Sequence, residues 1–196
     1  IDSSEFAGGL AERDILQDEF LSRCELSGST ENGKRVDLPP YLASLCEEQL
    51  LTAVQERALF QRMNFLRYRA HRELSKHQTA SSLDPWEVER ILGLLRAAEW
   101  YRDIIVKANV RLVISIVKKF VNPQNSFDDL LSDGIVSLIR AVDKFDYLLG
   151  FRFSTYATQI VRRNSYRAVM NRQEERFRVA NSISQQGLEI AEELEP

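Results

Sequence analysis

The segment DPWEVERILGLLRAAEWYRDIIVKANVRLVISIVKKF, residues 84–120, decides the class of fold. It opens with a helix start signal. Asp84 stands at the N-cap, Pro85 at the first helical position and Glu87 at the third, a variant capping box. Ile91, Leu94, Leu95, Ala98, Ile105, Ala108, Leu112, Ile116 and Phe120 then recur at the spacing of one helical face. At 3.6 residues per turn this face continues for about ten turns. Asn122-Pro123 ends it, because the residue before a proline is pushed out of the α region.

The same logic extends in both directions. After Pro39-Pro40, the residues Leu42, Leu45, Leu50, Leu51, Val54, Ala58 and Leu59 repeat at helical spacing, and 61–80 stays helix-prone and basic before fading at Ser75–Ser82. Downstream, Ser126-Phe127-Asp128-Asp129 restarts a helix that continues through Ile135, Leu138, Ile139 and Val142. Phe145 to Phe153, with Gly150, reads as a loop, and Ser154 can cap a last helix to about Asn171. No strand alternation and no internal repeat occurs, so an all-α, multi-helix bundle is expected. Residues 1–37, acidic and interrupted by Ser27–Lys34, read as a flexible lead-in.

Composition narrows the function classes. With 196 residues, 44% of them hydrophobic and 28% charged, the chain can bury a core and is not a disordered polymer. No run approaches the roughly 18 apolar residues of a membrane span, so no membrane partner is expected. Ile1 rather than Met opens the chain, which points to processing or to recombinant expression. No basic-then-apolar leader follows, and only two cysteines, Cys24 and Cys46, are present, so a cytoplasmic location with free thiols is expected. The net charge of -3 argues against nucleic acid until its distribution is read. Residues 1–50 carry eleven acids against four bases, and 181–196 carry four acids and no base. Between them, residues 151–173 hold five arginines and no acid, a local basic footprint.

Catalytic constellations are missing. His71 and His77 are six apart, off one helical face and far from either cysteine, so zinc is not expected. There is no phosphate loop, nucleophile elbow or His-Glu-x-x-His. Asp128, Asp129 and Asp133 cluster, but capping and the helix dipole account for the first two. No cofactor and no enzymatic activity are expected. The distinctive chemistry lies at 145–167. Five of the twelve residues from Phe145 to Tyr156 are aromatic, followed by Arg162, Arg163 and Arg167. Rings that stack on unpaired bases and arginines that neutralise phosphates are what single-stranded nucleic acid requires. The competing reading packs Phe145, Phe151 and Phe153 into a core, the usual fate of phenylalanine.

Residues 109–158 resemble region 2 of the sigma-70 family of bacterial RNA polymerase sigma factors. The resemblance is carried by Asn109-Val-Arg-Leu-Val-Ile-Ser-Ile-Val-Lys-Lys-Phe120, Asp129-Leu-Leu-Ser-Asp-Gly134, Ala141-Val-Asp-Lys-Phe-Asp146 and Gly150-Phe-Arg-Phe-Ser-Thr-Tyr-Ala-Thr158. Residues 38–63, with Leu50-Leu51-Thr52 and Glu56, resemble the family's region 1.2, and 64–96 fall where it has a variable insert that runs into the long helix. On this resemblance 97–180 are the core-binding and −10 recognition region, 181–196 an acidic tail or linker, and the fold is of the sigma factor domain 2 type.

The resemblance implies roles residue by residue. Asp129, Ser132, Asp133, Ile135 and Ile139 would dock on the clamp helices of the largest subunit of core polymerase. Phe151, Phe153, Ser154, Thr155 and Tyr156 would capture bases of the −10 promoter element on the non-template strand. Gln159, Ile160, Arg162, Arg163, Tyr166 and Arg167 would meet the upstream edge of that element. An anti-sigma factor counts among the candidate partners. The sequence also departs from the pattern. Housekeeping members carry two tryptophans where Gln159 and Ile160 stand, a Gln in place of Arg163 and a Thr in place of Tyr166. On the docking helix, Ser132 and Ile135 replace the common Gln and Asn. These departures imply an alternative or divergent sigma factor, or a sigma-like interaction module that does not melt DNA. The family's linker and −35-reading domain have no counterpart after residue 181, as expected of a fragment or of a protein that works without them.

Overall fold

A computed structural model describes residues 50–76 and 84–193, with side chains up to residue 182, and Phe6 by itself. Most of the lead-in, residues 38–49 of the expected first helix, both cysteines and His77 lie outside the described residues. Four helices follow one another: α1 (Ala53–Lys76), α2 (Pro85–Val117), α3 (Phe127–Lys144) and α4 (Phe153–Glu193), with a 3-10 turn at Tyr147–Leu149 between the last two. Among the described residues there is no strand, only an isolated bridge between Asn122 and Asn125. The fold is all-α, as the periodicity predicts.

Local chemistry sets most of the boundaries. α1 starts on a reciprocal cap: the Thr52 amide donates to Gln55 Oε1 at 2.9 Å, and the Gln55 amide to Thr52 Oγ1 at 3.3 Å. At α2, the Glu87 carboxylate accepts from the Asp84 amide at 3.2 Å. α2 stops at Val117, three residues before the expected Phe120. The chain tightens there, with the Phe120 amide donating to the Val117 carbonyl at 2.9 Å. Ser126 caps α3 by accepting from the Asp129 amide at 3.2 Å. Gly150 takes φ 78°, a left-handed turn that suits glycine, and directs the chain into α4.

α2 is the central element and packs against α1, α3 and α4. Its Ile105, Val113 and Val117 are fully enclosed, together with Phe60 and Met63 from α1, Leu130, Leu138 and Val142 from α3, and Phe153, Ala157 and Val161 from α4. The approach of α3 to α2 is close: a Cβ on Gly134 would fall 2.6 Å from Val113 Cγ1. The first helix buries a different set from the one its periodicity suggests. Leu50 and Val54 are exposed, and the core face begins at Leu59 and Phe60. α1 also runs unbroken across residues 63–64, where the region 1.2-like segment and the insert were divided. Phe6 packs edge-on against Phe65, with centroids 5.6 Å apart, and against Tyr68.

Candidate nucleic-acid interface

The aromatic segment after α3 forms a knot around Phe145. The Phe145 ring lies 4.9 Å from Phe60 and 5.2 Å from Phe153, and Phe60 and Phe153 are 5.2 Å apart. These three rings, tilted or edge-on to one another, belong to the core. Phe151 and Tyr156 flank the same hub from outside, at 5.7 and 5.6 Å. The core reading therefore holds for part of the cluster. Phe145 and Phe153 pack; Phe151 is 45% exposed and Tyr156 half-buried. Phe153 is fully enclosed, so the expectation that it stacks on a base is corrected: its ring supports the loop from below.

α4 begins at Phe153, which corrects the expectation that Ser154 caps it. The capping group comes from 97 residues upstream. Glu56 of α1, itself buried, accepts a hydrogen bond from the Phe153 amide at 2.8 Å. The Glu56 carboxylate also holds the Arg152 guanidinium at 3.3 Å, and Arg152 donates to the Leu51 carbonyl at 3.0 Å. An anion at a helix N-terminus satisfies an orphan N–H and meets the positive end of the dipole. Glu56 therefore joins α1 to the loop that carries the exposed aromatics. A cleft of about 540 Å³ opens between them, walled by Val54, Arg57 and Phe60 on one side and by Tyr147, Phe151 and Arg152 on the other.

Beyond the loop, Thr155, Gln159, Arg162, Arg163 and Tyr166 share one outer face of α4, all exposed, with Tyr166 at 60%. Met170 and Phe177 continue it. Ile160 turns inward and is half-buried against the core, and Ser154 is also partly covered. Arg167 is exposed but leaves this face and lines a groove shared with α3. The acid-free stretch is less free than it reads. Arg152 is held by Glu56, and Arg172 by Asp133 at 2.8 Å. Among the described residues no ion pair engages Arg162, Arg163 or Arg167.

The expected docking residues lie on the outward half of α3. Asp129 and Ser132 are exposed, while Asp133, Ile135 and Ile139 are partly covered, with Asp133 and Ile135 at opposite edges. Val136, 46% exposed, sits among them and was not singled out from the sequence. Glu56, Phe60 and Arg57 were missed as parts of the loop's surroundings. Only the resemblance to region 1.2 drew attention to Glu56, because its partner is so far along the chain. Among the described residues, no three His, Cys, Asp or Glu side chains cluster as metal ligands, and no helix is long and apolar enough to cross a membrane.

This arrangement, a helical bundle with an aromatic loop opening into a basic helix, is that of a sigma-70 region 2, whose family model matches residues 105–175. Residues 105–175 thus belong to the sigma-70 region 2 family. It is 48% identical over 68 residues to the RNA polymerase sigma factor SigA of Nostoc sp., covering 35% of this chain and 17% of that protein. It is also 48% identical over 68 residues to SigA1 of Synechococcus elongatus, with the same coverage. Against SigA of Lactococcus lactis it is 42% identical over 81 residues, covering 41% of this chain and 21% of that protein. The matched segments are thus about a fifth or less of these relatives' own length.

Proposed function

We propose that the chain is a promoter-recognition module of a sigma-70-type initiation factor, an alternative or divergent one, working in the cytoplasm and catalysing nothing itself. It binds core polymerase through the outer face of α3, with Asp129, Ser132, Asp133, Ile135 and Ile139 against the clamp helices. It takes non-template bases of the −10 element on the exposed rings of Phe151 and Tyr156, beside Ser154 and Thr155. Gln159, Arg162, Arg163 and Tyr166 then follow the upstream edge. The observation that carries this reading is the continuity of Phe151, Tyr156, Thr155 and the Gln159–Tyr166 face, over which stacking rings pass into arginines without an acid partner among the described residues. Unstacking a base costs a few kcal/mol, and each stacked ring returns about 1–3 kcal/mol. Arg163 is suited to a bidentate grip on guanine, which favours a shifted −10 preference.

The test measures binding of core polymerase loaded with the full chain to a single-stranded non-template −10 oligonucleotide. The double variant Phe151→Ala, Tyr156→Ala should keep its affinity for core and lose about one to two decades of oligonucleotide affinity per ring. An unchanged oligonucleotide affinity would refute base capture. The second reading, a sigma-like module that binds polymerase or a regulator such as an anti-sigma factor without melting DNA, draws support from Gln159 and the half-buried Ile160. Neither offers a flat exposed ring at the upstream fork. Under that reading the double variant and wild type bind core alike and neither holds the oligonucleotide.

A further inference from the structure

α1 carries two aromatic rings on the side away from its core residues. Met63 is fully enclosed, and Phe65, two positions on, stands about 200° further round the helix. Tyr68 lies one turn beyond Phe65 on the same side. A ring so placed should meet solvent, yet Phe65 is only 3% exposed. The ring packed on it is Phe6, itself 3% exposed, with centroids 5.6 Å from Phe65 and 5.7 Å from Tyr68. Phe6 and Phe65 meet edge-on, at an interplanar angle of 64°, an arrangement that aromatic pairs favour.

We propose that this face of α1 is a docking slot for an acidic segment with an aromatic anchor, and that residues 1–12 of the chain fill it through Phe6 as a releasable strap. The charges on the two sides are opposite. Residues 1–12 hold Asp2, Glu5 and Glu12 and no base, whereas residues 62–76 hold four arginines and Lys76 against Glu73 alone. Arg67 and Lys76 are engaged by Asp143 and Glu73. Arg69 and Arg72 stand within about 40° of Phe65 around the helix and set a positive field beside it. Burial of one ring favours the docked state by about one to two decades, before the cost of ordering the segment. The strap is therefore held, but loosely enough to exchange. While docked it braces α1, the helix that supplies Glu56 and Phe60 to the aromatic loop. The slot uses none of the residues assigned to DNA or to polymerase, so it stands or falls independently of that reading.

The experiment uses the full 196-residue chain, wild type and Phe6→Ala, with a synthetic peptide of residues 1–12 as the probe. Binding is read from the nuclear magnetic resonance shifts of the Phe65 and Tyr68 rings, which register weak association and report its place. Circular dichroism checks that Phe6→Ala keeps its helices. The peptide should bind the Phe6→Ala chain about tenfold or more tightly than wild type, whose slot is already filled. A peptide carrying the same Phe6→Ala change should lose about tenfold or more of that affinity. Tyr68→Ala, placed in the Phe6→Ala chain, should weaken the unmodified peptide while the helical signal stays unchanged. Raising salt from about 0.05 to about 0.5 M should weaken the peptide several-fold, because the opposed charges are screened. Equal binding to both chains, binding that ignores loss of the peptide ring or the rise in salt, or binding to neither chain overturns the inference.

Discussion

At the scale of single residues, Glu56 has the longest reach. Its carboxylate replaces a local cap on α4 and neutralises Arg152, and burial makes both contacts costly to lose. Glu56→Ala would leave the Phe153 amide unsatisfied in the core, a penalty of about 1–3 kcal/mol. Glu56→Gln keeps a carbonyl acceptor for that amide and should cost less than Glu56→Ala in urea unfolding. Equal losses for the two variants would show that the amide contact is unimportant and that the charge on Arg152 is what counts. Gly134 is constrained from the opposite direction. A methyl group there meets Val113 Cγ1 at 2.6 Å and Val117 Cγ2 at 3.0 Å, and both valines are enclosed on all sides. Overpacking of this kind costs about 1–3 kcal/mol, against a helix-propensity gain of about 1 kcal/mol. Gly134→Ala should therefore lower stability by up to about 2 kcal/mol in the same measurement.

At the scale of elements, what could be read from the sequence is what local chemistry fixes. Asp84-Pro85, Asn122-Pro123 and Ser126 announce their helix ends within a few residues: the structure starts α2 at Pro85 and α3 at Phe127, and ends α2 at Val117, five residues before Asn122. The start of α4 was misread because its cap and the ring packed on Phe153 both come from α1, beyond any local window. The same distance hides the fate of Arg152 and Arg172: no spacing rule pairs residues 96 or 39 apart. The α1–α2 contact supplies a pH test. Hydrogen bonding from Lys76, the main cause, together with the charges of Arg90 and Lys76, holds the Glu73 carboxyl below its ordinary value, against a partial opposing effect of burial. A depressed folded pKa gives stability that is present above the ordinary glutamate value, about 4.3, and is lost as pH falls through the folded value. Thermal melting of wild type should therefore drop more steeply below about pH 4 than that of Glu73→Gln, which lacks the titrating group. Parallel curves for the two proteins would remove Glu73 from the acid sensitivity of this clasp.

At the scale of the whole molecule, the segment that carries the family signature is not the folding unit. The match spans 105–175, yet the aromatic knot beneath the recognition loop is closed by Phe60, and α4 is capped by Glu56, both from α1. Met63 and Leu66 of α1, with Ala98 of early α2, belong to the same core. A chain trimmed to 105–175 would expose Phe145 and Phe153 and leave the Phe153 amide without its acceptor. Uncovering one such ring alone forfeits about 1.5–3 kcal/mol, a large share of the 5–15 kcal/mol by which domains are stable. The trimmed chain should consequently melt over a broad, low-temperature range by circular dichroism. A chain spanning 50–193 should melt in one cooperative transition. Adding a peptide of residues 50–76 to the trimmed chain should restore part of that cooperativity, because α1 supplies its contacts as a single amphipathic helix. Cooperative melting of 105–175 within a few degrees of the longer chain would show that the bundle closes without α1. In that case the Glu56 cap and the Phe60 ring would be additions to a fold already complete, and Phe151 and Tyr156 would owe their placement to Phe145 alone.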